Sequence, residues 1–219
     1  MVKLSASIVT TVVLLLYFYY EDHNREPLKR LVEAFVLGMA ISLQINYLQL
    51  SLFTFTNIFL QAFIMAGLIE EGIKLIALRL TLFRCPDFTQ AADGITYAVF
   101  LSLGFATVEN IILVNTLEAG IIRAFTAVPA HALFAVSMGY YIGLYRFDIN
   151  NKKLLLLALL VPAVLHGIYN YLIMIDRPWV LWVFVTYIIF LWVKSTRKLR
   201  ILKKEVKMNE ESERLDKGS

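Results

Sequence analysis

An all-α fold, a polytopic bundle of about seven membrane-crossing helices, is what this sequence predicts, and three observations predict it. The 219 residues are 59% hydrophobic with a mean hydropathy of +0.68, against an apolar share of about 45–50% in soluble domains. Seven apolar runs approach the ~20 residues that cross a bilayer. Lys and Arg alternate between the connections, as the positive-inside rule requires.

The runs cover residues 4–20, 31–48, 53–83, 94–117, 121–145, 154–175 and 179–193. The first follows only Lys3 and has no small-residue cleavage site, so it is read as a span and not as a signal peptide. The third is overlong and is expected to tilt or to project beyond the bilayer. The seventh is the shortest. Seventeen of the 21 basic residues fall in loops one, three and five or beyond Val193: Arg25, Lys29, Arg30, Arg79, Arg84, Arg146, Lys152, Lys153 and nine from Lys194 onward. Lys3, Arg123 and Arg177 fall on the other side, which predicts an outside N-terminus and a cytoplasmic C-terminus. Tyr17, Tyr19, Tyr20, Trp179 and Trp182 stand near span ends, where interfacial aromatics belong. The organisation expected is a transmembrane domain over 1–193, its chemistry-bearing core over 53–175, and a charged cytoplasmic tail over 194–219, solvated as a helix or disordered. The single cysteine, Cys85, excludes an intramolecular disulfide and a cysteine-based metal cluster.

An ionisable side chain inside such a run costs about 2.5–3.5 kcal/mol at mid-membrane, so its default reading is a functional site. Glu70 and Glu71 share one run, and Glu109, His131 and His166 occupy three others. Glu70 and Lys74 are four apart and can pair, leaving Glu71 over, one turn after the small Gly67. One paired and one free carboxylate suit a general base tuned by a second acid. Glu109 is followed by a second polar group, Asn110. His131 heads a small-residue stripe, Ala135, Gly139 and Gly143, which suits close helix packing. His166 and Asn170 lie on one helix face, behind Pro162, which is expected to bend the helix; together they can present two donors to one oxygen. At 1.5 Å per residue, His131, His166 and Glu109 lie roughly 12–15 Å from the outer ends of their helices and the glutamate pair roughly 20–26 Å. His23, in a charged loop, reads as surface, and Glu33 reads as an interfacial partner of Lys29 and Arg30.

Glu-Glu-x-x-Lys at 70–74, Gly-Phe-Ala-x-x-Glu-Asn at 104–110, His131 with Gly139, and His-Gly-x-x-Asn at 166–170 resemble, in order, the motifs of the PrsW family of intramembrane proteases. That family is distantly related to the CAAX prenyl endopeptidases and to bacteriocin-processing membrane proteases. In those relatives a Glu-Glu pair, a Phe-x-x-x-His and a His-x-x-x-Asn carry catalysis. Here Phe105 is followed four residues later by Glu109 instead of histidine, which makes His131 the extra contributor. The resemblance implies an enzyme of the cell membrane that cleaves a membrane-anchored protein, anti-sigma-factor-like, near the extracytoplasmic side. The partners expected are that substrate and the lipid bilayer, not nucleic acid.

The catalytic candidates are thus Glu70, Glu71, Glu109, His131, His166 and Asn170. Two mechanisms fit them. Glu70 or Glu71 activates water directly while His166 and Asn170 stabilise the oxyanion. Alternatively His131, His166 and Glu109 hold Zn2+ with an open fourth position, and Glu70 or Glu71 is the base. No His-Glu-x-x-His spacing marks a zinc site. The rival classes are a proton-coupled transporter, whose usual internal repeat is missing from the sequence, and a non-catalytic membrane binding module.

Overall fold

The computed structural model describes residues 2–22, 25–52, 56–175 and 177–217, and it is all-helical across them, with no strand. His23 and the expected start of the third run at Phe53 lie outside the described residues. Among the described residues nine α-helices follow one another: α1 (Val2–Glu21), α2 (Leu28–Leu52), α3 (Ile58–Leu60), α4 (Glu71–Leu80), α5 (Asp93–Leu113), α6 (Leu117–Phe125), α7 (Ala127–Phe147), α8 (Lys152–Met174) and α9 (Val180–Lys217). A π-helical segment, Gln61–Glu70, joins α3 directly to α4. Asn57 starts this rod by accepting the amides of Phe59 and Leu60 on its side chain at 2.8 and 3.3 Å, as an N-cap does.

Among the described residues four stretches are long and apolar enough to cross a membrane: Asp93–Leu113, Leu117–Phe147, Lys152–Met174 and Val180–Leu202. Ala6–Glu21 is a shorter apolar helix. Burial falls from the middle outward, from 78% of the apolar window in α5 to 17% in α9. α5 is therefore the axis of the bundle. It packs between α2 and α7, α8 packs against α7 and the π segment, and α9 lies outermost over α7 and α8. Large apolar side chains such as Val183, Ile189 and Trp192 on α9 and Leu156 and Val164 on α8 face outward. This is the pattern of a bundle solvated by lipid.

Small residues set the closest crossings. A Cβ on Gly139 would stand 2.4 Å from the carbonyl oxygen of Gly94, and one on Gly38 would stand 1.9 Å from that of Leu101. The stripe Ala135–Gly139–Gly143 thus meets the first turn of α5, and α2 meets its middle, backbone to backbone. On the loop side of α5, the Asp93 carboxylate accepts the amides of Thr89 and Gln90 at 2.7 and 2.9 Å. Thr96 donates to Asp22, and Tyr97 donates to Glu26. These bonds fasten the α1–α2 connection to α5. Arg30 bridges Glu33 and Asp87 at 2.9 and 2.7 Å, so Glu33 has the partner its spacing suggested, and Cys85 is free and buried.

Two boundaries differ from the sequence reading. The run 121–145 breaks at Thr126 into α6 and α7. Pro129, in the first turn of α7, has no amide for the carbonyl of Phe125, and its ring would clash with that carbonyl in a continuous helix. The seventh run does not end near Val193: α9 continues to Lys217 and carries the charged tail as a helix. Pro162, in contrast, lies inside an uninterrupted α8.

Candidate active site

The rod and α8 approach where both are small. A Cβ on Gly67 would stand 2.5 Å from the carbonyl oxygen of Ala163, so Gly67 admits α8, and one turn later on each chain stand Glu71 and His166. The π segment ends at Glu70 and α4 begins at Glu71, so the pair sits at a change of helical pitch. Such π elements are rare and recur at functional sites.

His166 Nδ1 lies 2.9 Å from Glu71 Oε1. The ring of His131 is edge-on to that of His166, 5.0 Å between centroids, and His131 Nε2 lies 2.9 Å from Glu109 Oε2. Glu71, His131 and His166 are all buried, and one ligand atom from each falls within 4.8 Å of the others. Phe134 stacks on His166 at 4.9 Å, and Phe105 tilts against His131 at 5.8 Å, walling the group with apolar rings.

Lys74 enters the same group. Its Nζ donates to Glu71 Oε1 at 2.9 Å, lies 3.4 Å from His131 Nδ1, and sits 3.9 Å over the Phe105 ring. Glu70 Oε2 is farther, at 4.0 Å. The pairing read from four-residue spacing therefore goes mainly to Glu71 instead of Glu70. Positions i+3 and i+4 are equally near on a helix, and Glu71, fully buried, has the greater need of a counterion. Glu109 does not join the convergent three. It stands behind His131 and also accepts from Arg123 Nη2 at 3.1 Å. Asn170 is half-buried and hydrogen-bonds to no described residue.

Arg123, Phe134 and Tyr169 line this region and were not singled out by the sequence reading. Arg123, which also donates to Asn110, shows only as an isolated cation inside an apolar run. Phe134 and Tyr169 carry no sequence signal that separates them from core aromatics.

Two imidazoles and a carboxylate are an ordinary catalytic zinc donor set. The chemistry of the site fits a cation: its lone pairs already converge on the Lys74 ammonium, and Glu71 Oε2 is buried without a hydrogen-bond partner. Glu109 on the far nitrogen of His131 repeats the carboxylate–histidine arrangement that fixes the tautomer of metal-binding histidines.

An all-helical, apolar bundle with a buried Glu–His–His group defines an integral membrane protein of the metallohydrolase class. Residues 26–194 match the PrsW family intramembrane metalloprotease, and the chain belongs to that family. It is 38% identical over 190 residues to Protease PrsW of Clostridioides difficile (strain 630), covering 80% of each chain. It is 35% identical over 203 residues to Protease PrsW of Oceanobacillus iheyensis, covering 90% of this chain and 94% of the relative. Against Protease PrsW of Bacillus subtilis (strain 168) it is 33% identical over 188 residues, 82% and 85% of the two chains. No solved structure matches. The chain is an intramembrane endopeptidase.

Proposed function

We propose that this endopeptidase hydrolyses a peptide bond of a single-span or membrane-tethered protein of the anti-sigma-factor kind, on the extracytoplasmic side of the cell membrane. Glu71, His131 and His166 are its metal-holding residues. The observation that supports this most is the convergence of those three buried side chains from α4, α7 and α8. A metal bound there supplies a Lewis acid and an acidified water. Glu71 belongs to the ligand set, so Glu70, its neighbour on the rod, is the general base. It accepts the proton of the water whose oxygen bonds to the scissile carbonyl carbon, and returns it to the amine as the C–N bond breaks. The Asn170 amide, one turn beyond His166, donates to the carbonyl oxygen as charge develops on it. Glu109 holds His131 through Nε2, leaving Nδ1 toward the cluster. Lys74 competes with a metal for the lone pairs of Glu71 and His131, and Phe105 and Phe134 limit water to the molecule consumed.

The seven-span arrangement, N-terminus outside, belongs to the same proposal. The distribution of Lys and Arg supports it, and a reporter fused after Ser219 is expected in the cytoplasm. The test of function is cleavage of single-span reporter proteins in proteoliposomes. Cleavage should be lost in Glu70→Gln with metal content intact, and lost together with metal in Glu71→Gln. Full activity in both variants would overturn the assignment.

A further inference from the structure

The hydrogens in the row of side chains behind His131 can be placed from groups that only donate. A lysine ammonium and an arginine guanidinium have no acceptor. Lys74 Nζ lies 3.4 Å from His131 Nδ1, so Nδ1 is the accepting nitrogen and the ring hydrogen is on Nε2. Nε2 then donates to Glu109 Oε2 at 2.9 Å. The same oxygen accepts from Arg123 Nη2 at 3.1 Å. Two cations thus bracket the row, Lys74 at its inner end and Arg123 at its outer end, and both leave the hydrogen on Nε2.

The two ends differ once the site is filled. When Glu71 and His131 turn their lone pairs to a metal, Lys74 loses the acceptors it now holds. Arg123 keeps both of its own. From α6 it grips two consecutive residues of α5, with Nη2 on Glu109 and Nε on the Asn110 side-chain oxygen. A planar fork held at two points fixes the carboxylate in place as well as countering its charge. The side chains of Glu109 and Arg123 are 14% and 24% exposed, so the pair is largely out of water. α6 is itself anchored. Thr116 caps it by accepting the Ala119 amide at 3.1 Å, Ala124 is fully buried, and Ser7 of α1 donates to the Gly120 carbonyl. On one straight helix, residues eight apart stand about 12 Å apart along the axis. The break at Thr126 therefore helps bring Arg123 and His131 to one oxygen.

We propose that Arg123 is a positioning residue for the metal centre. Acting through Glu109, it holds the His131 ring with Nε2–H outward and the Nδ1 lone pair toward Glu71 and His166. It rests on the reading of Glu71, His131 and His166 as metal-holding residues and extends their support to α6. Without the arginine the carboxylate loses its tether, and the imidazole loses the pinned acceptor that keeps its hydrogen on Nε2.

The test uses the full chain in detergent micelles, as wild type, Arg123→Gln and Arg123→Lys. Zn2+ affinity is read by competition with a chelating dye. Arg123→Gln should weaken it by about tenfold, the lower end of what outer partners of metal-binding histidines contribute, and Arg123→Lys, which keeps the charge, should recover most of the loss. Because the effect runs through Glu109, adding Arg123→Gln to Glu109→Gln should weaken binding no further than Glu109→Gln alone. Losses that multiply in the double variant would overturn the proposal. At limiting metal Arg123→Gln should lower kcat for a single-span reporter and leave KM unchanged, with excess metal restoring kcat; a raised KM with unchanged metal affinity would instead make Arg123 a substrate contact and overturn it. The ring nitrogens of the metal-free protein give a readout independent of metal and of cleavage. The chain has three histidines, so 15N-histidine spectra can be assigned with His23→Gln and His166→Gln. His131 should show the Nε2–H form in the wild type and lose it as the single form in Arg123→Gln. The wild-type form persisting in Arg123→Gln would overturn the proposal. A metal-free wild type that cleaves at full rate would count against the metal reading, while the nitrogen spectra would still decide whether Arg123 sets the His131 ring.

Discussion

Replacing Lys74 by methionine removes the ammonium that faces Glu71 while keeping most of the side-chain volume. The pair is 2.9 Å apart, with side chains 1% and 0% exposed. Breaking a buried pair from one side leaves an uncompensated charge and costs about 3–5 kcal/mol. The contact over Phe105 at 3.9 Å puts the expectation at the upper part of that range. The assay is denaturant unfolding in detergent micelles with chelator present, because a metal would neutralise Glu71 in place of the ammonium. Adding Glu71→Gln to Lys74→Met should recover about 0.5–3 kcal/mol, the coupling of contacting residues. Without chelator, a metal at a hundredfold excess over its Kd should restore about 2.7 kcal/mol to Lys74→Met. A Lys74→Met protein within about 0.5 kcal/mol of wild type under chelation would refute the claim that this lysine holds the Glu71 charge.

Other outcomes follow from the same geometry. Glu109→Gln should weaken metal binding by about 10–100-fold, measured by competition with a chelating dye, because it loosens the hold on His131; unchanged affinity would place Glu109 outside the metal's support. Gly139→Leu drives a side chain into the backbone of α5 and should destabilise by at least about 1–3 kcal/mol, read by the same unfolding assay; wild-type stability would mean that the α5–α7 crossing is looser than described. Burial, reinforced by Asp93 and Asp22 and opposed by the Tyr97 hydrogen bond, pushes the Glu26 carboxyl up to about 8. The folded state then keeps this proton where the unfolded chain has released it, so stability falls as pH rises from about 4.5 to about 8. Glu26→Gln should flatten that slope and be the more stable form at pH 8; an unchanged slope would contradict the assignment.

The polar members of the site were legible in the sequence because a bilayer makes each of them conspicuous. Glu70, Glu71, Glu109, His131 and His166 stand out against apolar neighbours, and spacing alone indicated a common depth for Glu109, His131 and His166, with the glutamate pair deeper. Their grouping was less legible. Whether Glu71 or Glu109 joins the two histidines depends on how α4, α5 and α7 rotate about their axes. Glycine contacts and the pitch change at the π segment set those rotations, and a regular 3.6-residue period does not register a π turn. The same limit sent Lys74 to Glu70 in the sequence reading. The break at Thr126 was written in Pro129, but hydropathy averages across it. The tail's charge is compatible with a solvated helix, and the contact of Lys198 with Ser137 at 2.9 Å and with the Tyr141 ring shows what anchors its first turns to α7.

The central claim is that Glu71, His131 and His166 hold one metal ion that peptide hydrolysis requires. The most direct measurement is elemental analysis of the purified wild-type protein and of its His131→Ala and His166→Ala variants, alongside reporter cleavage before and after chelation. The account predicts about one metal per wild-type chain, its loss in both variants, and cleavage that chelation abolishes and added metal restores. A metal-free wild-type protein that cleaves at full rate in the presence of chelator would contradict it.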